Sequence, residues 1–107
     1  MPAGINGGMR MPTYVNLVRW TDQGIKNYQD SPSRAADFAK LVQSLGGRVR
    51  ELLWTTGEYD LVTVIELPDE ETAAAAGLRV ASLGSIRTTT MRAFSADEMG
   101  SIIAKAG

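Results

Sequence analysis

Apolar positions along this chain recur with two periods, and the changes of period mark its elements. Thr13 to Trp20 (TYVNLVRW) is rich in β-formers and partly alternating, which predicts a first strand. The polar run Thr21-Asp22-Gln23-Gly24-Ile25 opens a short helical segment. From Ser31-Pro32 the period lengthens. Ala35, Phe38, Leu41, Val42 and Leu45 recur at three- and four-residue spacing as the apolar stripe of a helix. Ser31 suits its N-cap, Pro32 its first turn, and Gly46-Gly47 its end. Residues 48–55 and 59–67 predict two further strands, in hairpin spacing across a turn at Gly57. Pro68 stops the third strand, and Asp69, Glu70 and Glu71 place negative charge where a helix start favours it. Ala73 to Ala76, Leu78, Val80, Ala81 and Leu83 form a thin, Ala-rich helix that can lie close to a sheet or a neighbour. Residues 86–94 predict a fourth strand with three β-branched threonines in a row. Ser95 and Glu98 form a capping box, and Met99, Ile102 and Ile103 stripe a last helix.

The order is β-α-β-β-α-β-α, an α+β class. Two βαβ halves point to a ferredoxin-like β-α-β-β-α-β sandwich with an extra C-terminal helix and a four-stranded antiparallel sheet, helices on one face. Alternation puts Val15, Leu17, Asp60, Val62, Val64, Arg87, Thr89 and Met91 on one side. Tyr14, Asn16, Val18, Trp20, Tyr59, Leu61, Thr63, Ile65, Thr88 and Thr90 fall on the other. The second side mixes apolar residues with Asn16, Thr63, Thr88 and Thr90. It is expected to be the open one, covered by a second copy packed sheet on sheet, so a homo-oligomer, as a dimer, is the expected assembly.

Composition narrows the chemistry. The 107 residues suit one domain, and 44% hydrophobic residues suffice for a core. Residues 1–11, with Gly4, Gly7 and Gly8, read as a flexible extension before a domain at 12–107; Met1, Met9 and Met11 are all candidate starts. Eleven basic against twelve acidic residues give a charge of -1 with no basic block, so neither nucleic acid nor an anionic membrane is an expected partner. No apolar run is long enough to span a bilayer. There are no cysteines and no histidines. That removes thiolate nucleophiles and imidazole bases and ligands, and fits a reducing cytoplasm. No metal and no cofactor is expected, and no phosphate-loop or nucleophile motif occurs.

Candidate site residues gather at a polar corner. Tyr59 and Asp60 have two readings. In one, Asp60 accepts a hydrogen bond or a proton beside a Tyr59 wall, which makes Asp60 the one weak catalytic candidate. In the other, Gly57 supplies a positive φ and Asp60 braces the turn through backbone N–H groups. Arg87, Thr88 and Thr90 offer a cation and hydroxyls to a ligand, or are ordinary strand residues. Trp54 roofs a pocket, anchors an interface, or is plain packing.

With its surroundings, Gly57-Glu58-Tyr59-Asp60 resembles the GYD domain family. The likeness runs through Leu17–Trp20 with Thr21-Asp22-Gln23-Gly24-Ile25, Ser31-Pro32-Ser33-Arg34-Ala35, Leu45-Gly46-Gly47, Trp54-Thr55-Thr56 and the block at 87–94. The resemblance implies a bacterial or archaeal protein of the ferredoxin-like, dimeric α/β-barrel superfamily, and little about activity. Three functional expectations follow. The first is a homo-oligomeric module that binds or senses a small, partly apolar ligand, with Tyr59 and Trp54 as walls and Asn16, Thr63, Thr88 and Thr90 orienting it. The second is a cofactor-free oxygenase or isomerase for an aromatic or polyketide-like substrate, with Asp60 as base and Tyr59 or Arg87 stabilising an enolate. The third is a structural or regulatory assembly protein without a sizeable cavity.

Overall fold

The computed structural model describes residues 11–107. The expectation for residues 1–11 therefore falls, but for Met11, outside the described residues. Strand β1 (Thr13–Trp20) leads into a short helix α1 (Asp22–Lys26) and a 3-10 turn at Tyr28–Asp30, which runs directly into α2 (Ser31–Ser44). Then come β2 (Arg48–Trp54), β3 (Leu61–Glu66), α3 (Glu70–Ser82), β4 (Ile86–Ala93) and α4 (Ala96–Ala106). The strands form one antiparallel sheet in the order β2-β3-β1-β4, the ferredoxin-like arrangement.

Local chemistry accounts for most boundaries. Asp69 caps α3 by accepting from the Thr72 N–H, and Ser95 and Glu98 close a reciprocal capping box on α4. The α2 start differs from expectation. Because the 3-10 turn feeds the helix without a break, Asp30 holds the N-cap position with no side-chain bond. Ser31 is already helical and buried, and its hydroxyl accepts from the Trp54 indole N–H at 2.9 Å. In β2 the register slips between Val49 and Glu51, a bulge at Arg50.

The core lies beneath the helices. Tyr14, Val42, Ile65, Leu67 and Ala76 form its buried cluster, flanked by Phe38, Leu45, Val49 and Ala73. Leu67 and Val42 are fully enclosed, each contributing about 1.5–3 kcal/mol by burial.

The helices cover the sheet face expected to be open. Alternation separates the two sides as read, but Tyr14, Asn16, Val18, Leu61, Thr63 and Ile65 all lie on the covered side and are buried. Asn16 explains how a mixed face tolerates this position. Its Nδ2 donates to Thr63 Oγ1 at 2.9 Å and its Oδ1 accepts from Thr90 Oγ1 at 2.7 Å, so the polar atoms satisfy one another. The uncovered side carries Val15, Leu17, Val62 and Val64, with Leu53 and Met91 plainly exposed.

Candidate functional site

Between α2, α3 and the covered sheet face lies a cleft of about 540 Å³. Its origin is compositional. On the α3 side it is lined by Ala73, Ala76, Gly77 and Val80, and these small residues leave space that larger ones would fill. A Cβ added at Gly77 would meet no atom within 4 Å. The small side chains that let α3 lie close to the sheet thus also leave a groove against α2. Phe38 and Leu41 line it from α2, and Val18, Leu61 and Ile65 from the floor.

The floor holds an uncharged polar row. Thr90, Asn16 and Thr63 sit in register across β4, β1 and β3, linked by the two hydrogen bonds above. Thr88 lies two residues along β4 on the same side and also lines the cleft. Ser85 adds a hydroxyl that is 5% exposed and has no hydrogen-bond partner. Ser85 is seated by a close approach of α1. Its carbonyl accepts from the Thr21 N–H at 3.0 Å, and a Cβ on Gly24 would lie only 2.0 Å from that oxygen. Tyr14, which also lines the cleft, has an equally unpartnered hydroxyl, and burial, then the charge of Glu70, raises its pKa. At the mouth, Arg34, Lys40 and Arg79 are exposed against a single Asp37, and none of the three cations forms an ion pair among the described residues.

Four of the eight candidate residues, Asn16, Thr63, Thr88 and Thr90, therefore converge on one cavity. Trp54 stands at its end, about half exposed, and reaches it through the bond to the cleft residue Ser31. Tyr59, Asp60 and Arg87 are not among its lining residues. The tetrapeptide that contains two of them fastens the hairpin to the end of β1. Gly57 has φ +114°, which strongly favours glycine. The Glu58 carboxylate pairs with Arg19 at 2.5 Å, and the Arg19 guanidinium stacks 4.8 Å from the Tyr59 ring centre. Asp60 accepts the Trp20 backbone N–H on Oδ2 at 2.8 Å, while its own N–H donates to the Val18 carbonyl. Arg87 lies on the uncovered side, opposite Arg19 in register.

Ser85, Gly77 and the mouth cations were not legible as site residues in the sequence. Ser85 beside Gly84 reads as a turn, and Gly77 as one more small residue in an Ala-rich helix. Among the described residues no cluster of His, Cys, Asp or Glu could hold a metal ion, and no helix is long and apolar enough to cross a membrane.

A family model described as the GYD domain matches residues 14–103. A Thermus thermophilus protein named "Glutamine synthetase and cystathionine beta-lyase binding protein" is 37% identical over 84 residues, covering 78% of this chain and 88% of that protein. The crystal structure of a Thermus thermophilus protein superposes with a TM-score of 0.52 at 28% identity, covering 80% of this chain and 96% of the other. A feast or famine regulatory protein from M. tuberculosis, complexed with L-methionine, gives a TM-score of 0.63 at 12% identity. It shares the fold over 89% of this chain and 58% of its own.

Proposed function

The chain belongs to the GYD domain family, and from that premise we propose that it is a cytoplasmic, non-enzymatic binding module that pairs with a second copy and holds a small, largely apolar molecule in the cleft. The observation that carries this is the Thr90–Asn16–Thr63 row at the floor of a cavity of about 540 Å³, whose lining also includes the unpartnered buried hydroxyl of Ser85 farther along the sheet. That volume lies in the range of about 300–1,000 Å³ typical of ligand pockets, and a mostly apolar wall with a few convergent polar groups is the usual pattern of such sites. It weighs against an assembly protein with no cavity. The oxygenase or isomerase reading is the less favoured, because Asp60 accepts the Trp20 backbone N–H and is not itself among the residues lining the cleft. The partner copy would cover the other side of the sheet, where Val15, Leu17, Val62, Val64, Leu53 and Met91 make a continuous apolar surface.

A second reading takes the partner to be a protein. It is favoured by the name of the Thermus thermophilus relative, which describes binding to two metabolic enzymes. Native mass spectrometry of gently purified protein tests the first reading. A dimer carrying a releasable small mass is the expected result. A monomer would overturn the pairing, and an empty dimer that acquires mass only when an enzyme partner is added would favour the second reading.

A further inference from the structure

We propose that the cleft selects an amphipathic acid: a molecule with an uncharged oxygen at its buried end, an apolar body, and a carboxylate or similar anion at the mouth. This rests on the small-molecule reading of the cleft and adds the chemical class of the occupant.

The floor determines the buried end. Thr63 Oγ1 accepts from Asn16, which leaves its own proton free to donate. Thr90 gives its proton to Asn16 Oδ1 and keeps lone pairs to accept. Asn16 and Thr63 are 8% and 4% exposed, so the free Thr63 proton lies out of reach of bulk water, whereas Thr90 on the outer strand is exposed. A hydroxyl or carbonyl can accept that Thr63 proton. A carboxylate is disfavoured there, because the cations that line the cleft, Arg34, Lys40 and Arg79, are all exposed and a buried, unpaired anion is costly. Phe38, Leu41, Leu61 and Val80 then require a body without hydrogen-bonding groups. At the mouth the balance reverses. Arg34, Lys40 and Arg79 face outward against Asp37 alone, free of ion pairs among the described residues, and give a rim of positive sign where water still solvates a charge. The cleft is thus polarised along its depth, neutral at the base and cationic at the opening.

Displacement of a neutral, environment-sensitive dye tests this with three probes of one chain length: ω-hydroxydodecanoate, dodecanoate and dodecyl alcohol. The dye reports the cleft itself, and Gly77→Leu, whose side chain enters open space, should exclude it without disturbing the fold. The hydroxy acid should displace the dye at the lowest concentration. Loss of the hydroxyl should weaken binding by about three- to tenfold, and loss of the acid by up to about fivefold, an advantage that fades with added salt. Thr63→Val should abolish only the first preference and Arg34→Glu with Arg79→Glu only the second. If the dye enters in a Gly77→Leu-sensitive way but the three probes compete equally, the proposed class is wrong and the cleft reading stands. If the dye shows no such sensitivity, the cleft reading fails and this inference with it.

Discussion

One carboxylate oxygen of Asp60 receives the Trp20 N–H at 2.8 Å, tying the approach to β3 to the last residue of β1. A hydrogen bond to a charged group is worth about 1.5–3 kcal/mol. Asp60→Ala should therefore shift the urea midpoint to lower concentration by that amount of stability, with the slope of the transition unchanged. Uptake of a ligand by the cleft should survive wherever the variant is folded. Loss of uptake with full stability would return Asp60 to the site. At this scale the sequence was informative where side chains follow a period. Alternation put Asn16, Thr63, Thr88 and Thr90 on one side, and they do meet in one cavity. It could not tell which side the helices cover, because the mutual bonding of Asn16, Thr63 and Thr90 makes polar residues compatible with burial. Nor could it reveal Ser85, whose burial comes from the approach of Gly24, distant in the chain.

Helix α3 shows how an element can be legible in outline while its consequence is not. Its cap, charged first turn and small residues are all readable, but the groove they leave depends on where α2 lies. The cap also makes the helix pH-sensitive. The Thr72 backbone N–H, donating to Asp69, holds that carboxyl below its ordinary pKa. A depressed folded-state pKa means the stabilisation is fully present above the unfolded value of about 3.9 and is lost as pH falls through the folded one. Amide-exchange protection at Thr72 should accordingly be flat above about pH 5 and decline on acidification through that window. Asp69→Asn should show no such decline, and an identical acid response in the variant would rule out the cap as its source. Gly77 has the opposite character. Gly in a helix interior costs about 1 kcal/mol relative to Ala, so Gly77→Leu should be at least as stable as the parent.

Across the whole molecule, the two sides of the sheet divide the labour. One is closed by helices over a cleft. The other presents Leu17, Val62 and Val64 at its centre and leaves Leu53 55% exposed. Val64→Arg places a charge in the middle of that uncovered side. It should convert a dimer to a monomer on dilution, read by sedimentation velocity, while leaving the fold intact. A parent protein that is already monomeric at micromolar concentration would sink the pairing proposal. Helix α4 adds Met99 and Ile103 as further exposed apolar residues, with none of its own residues buried.

The bulge at Arg50 bears on a different problem, that of sheets that do not stop growing. An outer strand normally offers a row of unpaired N–H and C=O groups on which a foreign strand can crystallise, the first step toward fibres. On β2 the slip between Val49 and Glu51 interrupts that row. Arg48 and Arg50 also crowd it, both engaged with Glu66 on the neighbouring strand. A strand seeking to extend the sheet at this rim would meet broken spacing and charge, which makes β2 a poor template for strand addition.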